Sequence, residues 1–512
     1  MKYLREIAQI VTRYREKNPD LLDFSFMEED PDQITKLYLG LKEGKINSDS
    51  TAAEYIYGKP VIDTKYTTLK NRLKRKLSNL LFFLDVHEPN FSEFAVARYQ
   101  NAKLLFWVMA LSGFGARNSS IKLSESGLKQ AKKYGLTLNA LQFALVLRSY
   151  SRFSGSERQY DKYAEITNEI LTSYNAEQKA LEFIERLTIR FSRSTAEQPD
   201  LKKVSEEYLN ELEKLKTDTA SFNFNQYYFR LKNFAFQIAQ RYQEAVETCQ
   251  DALSYFDQNK HVASKALYGD FYLQLLGCFL YLREYDKGVE VALKCTPLYP
   301  EGAANWFVLM EYRLLLAMQT FHFQEAEDIY IRTTEQNRFQ FLPDETKEKW
   351  QIIELYLDFA LRQTNIISKR AIKRIDPGKF LHAVPNFKKD KKGYNIAILI
   401  LHVLLLLEQN DFDSIINRMD ALRTYRNRYL QVSTNRRSAL FFKMLQIMEA
   451  NSFDPKLTSF KARRYLQNLT ARTSDVVEAQ EALQILPFEW LWETIIKMLE
   501  EKQKQGKIQK LS

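Results

Sequence analysis

The chain has 512 residues, 45% of them hydrophobic and 27% charged, with a net charge of +10. This composition excludes an intrinsically disordered chain and describes a folded one. Only 15 Gly and 12 Pro punctuate a sequence rich in Leu, Lys, Glu, Gln and Ala, so helix is expected nearly throughout, and no sustained strand alternation occurs. The basic balance suits an acidic partner such as nucleic acid, an acidic protein surface or anionic lipid. It equally suits a protein that is simply basic.

In chain order, residues 1–18 form an amphipathic helix with Leu4, Ile7, Ile10 and Val11 on one face. Charges at Arg5, Glu6, Arg13, Arg15 and Glu16 break any signal-peptide apolar core. An acidic stretch from Glu28 to Asp32 follows, then helices at about 32–44, 50–57 and 64–84. The last has Tyr66, Leu69, Leu73, Leu77, Leu80, Leu81 and Leu84 at helical spacing, and Asp63 or Thr64 can cap its start. From about 90 to 365, long helices alternate with short breaks at Gly113–Ser120, Gly135, Gly155, Gln198–Asp200, Asn259–His261, Pro300–Gly302 and Pro343–Asp344. Such short links join antiparallel helix pairs. Asp376-Pro377-Gly378 and the lysine run at 388–392 mark a basic loop over 376–393. Helices resume at about 394–409, 411–424, 425–450, 457–471, 475–484 and 488–503, before a polar tail. The apolar run Ile396–Leu407, with His402 inside it, is 12 residues long. A bilayer span needs about 20, so the run reads as a buried core helix. The domain expectation is therefore an N-terminal helical region (1–88), a long helical array (89–375), the basic loop (376–393), and C-terminal helical repeats with a tail (394–512).

A two-helix unit recurs along the chain. Its marks are short tags ahead of amphipathic helices, centred on Tyr160, Tyr242, Tyr285, Phe323 and Phe412, with gaps of 82, 43, 38 and 89. Weaker marks at Leu201 and Ile366 halve the long gaps and give steps of 41, 41, 43, 38, 43 and 46. Repeats of this size are stacked helical hairpins, because one hairpin cannot bury its apolar face alone.

Within Gly269–Pro300, Phe279 and Tyr285 hold aromatic positions, Gly288, Ala292 and Cys295 hold small ones, Leu275 and Leu276 an apolar pair, and Pro300 a terminating proline. Phe236, Tyr242, Ala245 and Ala252 in the preceding unit, and Phe323, Ala326 and Tyr330 in the following one, match in the same way. In this pattern the chain resembles the tetratricopeptide repeat family. The likeness is strongest over about 226–338 and rests on periodicity alone over 137–225 and 345–472. Leu276 departs from the family's usual glycine, and the period of about 41 exceeds the usual 34 or so. The resemblance implies an all-α fold, an α-solenoid of stacked antiparallel helical hairpins with divergent repeats. It also implies that the first helix of each hairpin lines a partner-binding surface. Tyr227, Arg230, Asp270 and Glu311 fall at the family's binding positions. They do not reproduce the Lys/Asn clamp that some members use for a C-terminal carboxylate.

Motifs for chemistry are missing. Gly113-Phe114-Gly115 follows a helix rather than a strand, and Gly58-Lys59-Pro60 lacks the rest of a phosphate loop. His87, His261, His322, His382 and His402 share no metal-ligand spacing. Cys249, Cys278 and Cys295 form no C-x-x-C pair, so neither zinc nor a disulfide framework is indicated; packing inside helices in a reducing cytoplasm fits them. No catalytic residue, metal or cofactor is assigned. Basic clusters offer a rival reading. The segment 32–84 has the outline of a helix-turn-helix, with Lys70, Arg72 and Arg75 on its last helix as candidate nucleic-acid contacts. Further clusters lie at Lys369, Arg370, Lys373, Arg374 and Lys379, and at Arg423, Arg426, Arg428, Arg436 and Arg437. The leading expectation is a non-catalytic cytoplasmic scaffold or adaptor that binds a partner peptide or domain on a helical-repeat surface, with no membrane span. The alternative is a regulator with an N-terminal DNA-binding segment and a ligand- or protein-sensing repeat domain. A third is an enzyme-associated helical subunit without a ligand groove.

Overall fold

A computed structural model describes residues 1–15, 33–60, 62–83, 86, 91–193, 198–216, 221–370, 394–419, 436–470 and 484–506. The chain is all-α, and no strand occurs among the described residues. It divides into two compact units, Met1–Tyr174 and Asn175–Ser512. The division falls inside a long helix, at a point where the sequence carries no Gly or Pro break.

The first unit begins with α1 (Lys2–Arg15), α2 (Gln33–Lys42), α3 (Asp49–Tyr57) and α4 (Thr64–Leu80). Leu4, Ile7 and Val11 of α1 meet Leu37 and Leu41 of α2 and Tyr66, Leu69, Leu73 and Leu77 of α4 in one core. Local chemistry sets the helix ends. Ser48 and Thr51 form a reciprocal capping box at α3, Gly58 closes it in the left-handed conformation, and the Asp63 carboxylate caps α4. Three antiparallel helices follow, α5 (Glu93–Gly113), α6 (Arg117–Lys133) and α7 (Thr137–Ser154). They pack in sequence around Val108, Ala131, Phe143, Ala144 and Leu147. Gly127 of α6 lets this happen, since a Cβ there would lie 2.5 Å from the Phe143 ring. The first part of α8 (Glu157–Arg193) adds Ile170 to the same core.

In the second unit, α9 (Gln198–Leu215), α10 (Phe222–Ile238), α11 (Tyr242–Gln258), α12 (Lys265–Leu282), α13 (Tyr285–Cys295), α14 (Ala304–Gln319), α15 (Phe323–Thr334) and α16 (Asp344–Gln363) each pack on the next. α12 also touches α14. Tyr242, Tyr285 and Phe323 open α11, α13 and α15, as their tags suggested, whereas Tyr160 sits within the first turn of α8. Serines cap α10 and α12, through Ser221 and Ser264. The helices α11, α13 and α15 have no side-chain cap. They are reached through a tight turn, in which Gln240, Arg283 and Phe321 take positive φ. The next amide in each turn bonds back five residues, Arg241 to Phe236, Glu284 to Phe279 and His322 to Ala317, satisfying a helix-end carbonyl. Asn365 and Asn410 take the same conformation further along.

A left-handed backbone costs an L-residue about 1–2 kcal/mol. Gln240→Gly is therefore expected to leave the protein as stable or to stabilise it by up to about 1 kcal/mol. Thermal denaturation checks this, and a clear loss would mean that the Gln240 side chain has a stabilising role of its own.

Residues 394–506 complete the second unit. α17 (Tyr394–Gln409) is buried along almost its whole length, as the apolar run suggested. α18 (Arg436–Ala450), α19 (Pro455–Thr470) and α20 (Phe488–Lys504) pack in sequence, and α20 also packs on α17. Trp490 of α20 meets Phe321, Phe323 and Phe359 at ring distances of 5.6–6.4 Å. Lys502 donates to Asn410 at 2.6 Å. The basic loop expected at 376–393 lies outside the described residues, as do Arg423, Arg426 and Arg428.

Candidate functional site

The residues singled out by resemblance lie on α10, α12 and α14. Arg230 Nη2 on α10 and Asp270 Oδ2 on α12 form an ion pair at 2.8 Å, with side chains 36% and 39% exposed. Gln274, one turn along α12, donates to the same carboxylate oxygen at 3.2 Å and accepts a hydrogen bond from Asn233 of α10. A polar ladder thus joins the two helices. Burial pushes the Asp270 carboxyl up, against the downward pull of the Arg230 guanidinium. Two atoms of the ladder keep unused capacity, since Arg230 Nε and Asn233 Oδ1 are buried without hydrogen-bond partners.

Tyr227 lies one turn before Arg230, half-buried against the core of α8, α9 and α10. Burial, and then the negative field of Glu177, raises its phenol. Glu311 of α14 is differently placed. It pairs with Lys349 of α16, and both side chains are largely buried, so this carboxylate serves the α14–α16 contact. Between these two pairs the close approach of α12 and α14 falls at Gly277, where a Cβ would lie 3.3 Å from the Tyr312 ring. The neighbouring Leu276 is fully buried.

The rival cluster on α4 is partly spent. Lys70 Nζ bonds Asp49 Oδ1 at 2.6 Å, and Tyr66 donates to the same carboxylate at 2.7 Å. Arg72 and Arg75 face solvent. A recognition helix reads bases with its N-terminal residues. Here Tyr66 and Leu69, in the first half of α4, are buried; Lys65 is exposed ahead of them, and Arg72, Lys74 and Arg75 are exposed after them.

A second charged group was not legible as such in the sequence. Arg370 reaches three carboxylates: Glu354 Oε1 at 2.9 Å, Glu327 Oε1 at 3.8 Å, and Asp358, which accepts from its Nη2. The Tyr330 ring lies 4.8 Å beneath the guanidinium. Ser368 donates to Glu327, as does the Lys369 amide at 3.1 Å, while Lys369 Nζ bonds Asp328 at 2.5 Å. Residues 368–370 are thus pinned to α15 and α16. Two members of the basic cluster are engaged within the chain, and Lys373, Arg374 and Lys379 lie outside the described residues.

Cys249, Cys278 and Cys295 are buried free thiols, and burial pushes Cys278 and Cys295 up to about 12, which makes them poor nucleophiles. Among the described residues no group of three or more His, Cys, Asp or Glu is arranged to hold a metal ion. No described helix is long and apolar enough to cross a membrane. No family model, curated protein or solved structure matches this chain.

Proposed function

We propose that the second unit is a non-catalytic scaffold, an α-solenoid of divergent tetratricopeptide-like hairpins that holds a partner protein on the face carrying Tyr227, Arg230 and Asp270. The recurrence of the hairpin turn supports the repeat. Left-handed residues fall at 240, 283, 321, 365 and 410, giving steps of 43, 38, 44 and 45. The Arg230–Asp270 pair carries the functional reading. Among the residues singled out by resemblance, Arg230 and Asp270 meet and remain substantially exposed, and they offer a cation and an anion side by side beside an unspent Nε donor. Such a pair can exchange its internal bonds for a peptide carboxylate on Arg230 and a peptide amide or amine on Asp270. Glu311 contributes to this surface by fixing α14 against α16.

A charge exchange tests the assignment. Each single variant, Arg230→Asp or Asp270→Arg, should lose the partner captured by the wild-type chain. The double exchange restores the internal pair but reverses the order of charges along the face, so it should regain stability without regaining the partner. Recovery of the same partner by all three variants would contradict the reading. Affinity capture with quantitative mass spectrometry, paired with thermal melting of each variant, is the measurement.

A further inference from the structure

We infer that the exposed face of α5, which lies in a strongly basic stretch of the chain, rests on the surface of an anionic phospholipid bilayer. The helix has an inner side, where Ala97, Asn101 and Val108 are buried. Its outer side carries Phe106, Trp107 and Met109, which are 52%, 49% and 64% exposed, and Phe114, just past its end, is 89% exposed. At helical spacing Phe106, Met109, Ala110, Trp107 and Phe114 occupy one continuous arc, and Lys103 is the charged residue within it. The Phe82 ring joins the patch at 5.2 Å from Phe106. A contiguous apolar surface of this kind is uncommon on a soluble protein and marks an interaction site.

Charge identifies the occupant. From residue 94 to 156 the chain holds nine Lys and Arg and a single acid, Glu125. Glu125 accepts a hydrogen bond from Tyr163. Among the described residues no carboxylate pairs with Arg98, Lys103, Arg117, Arg148 or Arg152. Arg117 and Arg152 instead both lie 4.6 Å from the ring of Phe153, another exposed aromatic. Burial lowers the Lys103 ammonium, which lies over Tyr99, and a nearby anion would oppose that shift.

A second copy of this chain would bring like charges together, which opposes self-association through this face. A docked peptide helix needs a groove, whereas these side chains protrude. Nucleic acid would satisfy the cations and could stack on isolated rings, but it offers little cover for Met109 and Ala110. A bilayer interface accepts all of these features. Phe, Trp and Met enter the headgroup–acyl boundary while Lys and Arg meet lipid phosphates and carboxylates.

The test uses the full chain and two kinds of vesicle, phosphatidylcholine alone and phosphatidylcholine with phosphatidylserine. Cosedimentation should show binding to the anionic vesicles and little to the neutral ones. Each basic side chain near such a surface contributes about fivefold in partitioning, so Arg98→Gln with Arg117→Gln should weaken binding by about 25-fold. Phe106→Ser with Met109→Ser should also weaken it, and both pairs replace exposed side chains, so unchanged melting is expected. Trp107 is the only exposed member of the five tryptophans. The emission of the wild-type chain should therefore shift to the blue on anionic vesicles, and that of Trp107→Phe should not. Equal binding to neutral vesicles, or anionic binding without a Trp107 shift, would overturn the proposal. So would saturable binding to single-stranded RNA that Phe106→Ser and Met109→Ser abolish while vesicle binding is absent. Dimerisation removed by the same pair would assign the face to a second copy and would likewise overturn it.

Discussion

Arg370→Ala is expected to be among the most damaging single substitutions in the chain. It would leave Glu327, Glu354 and Asp358 facing one another with the cation gone, in a place where Glu327 and Asp358 are almost wholly buried. Breaking a buried charge group from one side costs about 3–5 kcal/mol. For a unit of this size that corresponds to a fall in Tm of about 4–7 °C. Arg370→Lys, which keeps the charge but loses the fork that reaches three carboxylates, should fall between the two. The effect also has a pH signature. Burial pushes the Asp358 carboxyl up to about 6 despite the Arg370 guanidinium beside it. The folded chain therefore holds more protons at this site than the unfolded chain between about pH 4 and 6, and the site's contribution to stability falls as pH rises through that window. Removing the guanidinium raises the carboxyl further. The deficit of Arg370→Ala should accordingly be smaller at pH 5 than at pH 8, as measured by thermal or urea denaturation. An equal deficit at both would show that the cluster does not hold its carboxylates in this way.

The second large effect is expected from Gly288→Trp. Gly288 opens the inner face of α13, and a Cβ there would lie 2.3 Å from Leu316 Cδ2 on α14 and 3.5 Å from Leu276 Cδ1 on α12. No rotamer of an indole fits a gap that does not admit a methyl group, so α13 must separate from its neighbours. Overpacking of this kind costs about 1–3 kcal/mol, and here the upper end or beyond is expected. Gly288→Ala should already be destabilising. Thermal melting would read both, and an unchanged Tm for the tryptophan variant would mean that α13 does not pack on α14 at this position.

The all-α class was legible because it rests on composition and helical apolar spacing. Scarce Gly and Pro, long apolar spacing and the ring tags placed α11, α13 and α15 to within a residue of their starts. The division at Tyr174–Asn175 had no such signal, because the helix of α8 runs through it with no breaker residue. The hairpin turns were hard to see for a related reason. The chain uses Gln240, Arg283, Phe321, Asn365 and Asn410 where glycine would announce a left-handed residue.

The residues of the candidate site could be named singly from the sequence, but not as pairs. The resemblance singled out Arg230, Asp270 and Glu311 one at a time, and they lie on α10, α12 and α14. It could not show that Arg230 and Asp270 meet across α10 and α12, or that Lys349 consumes Glu311. Likewise Arg370 read as one cation in a basic cluster, since its three acidic partners lie 12 to 43 residues away in sequence. The α5 patch has a trace in the sequence. Residues 102–114 are apolar on every face except at Lys103 and Ser112, which demands either full burial or a partner.

The central claim, that a partner docks on the first helices of the hairpins, is tested most directly by site-specific photo-crosslinking. A photoreactive phenylalanine analogue placed at position 227, beside the Arg230–Asp270 pair, is compared with the same analogue at position 290, an exposed site on α13. The account predicts a discrete crosslinked protein at position 227, its loss when Arg230→Asp is added, and no such product at position 290. The same protein crosslinked from both positions, or a product at 227 that persists in the Arg230→Asp background, would contradict it.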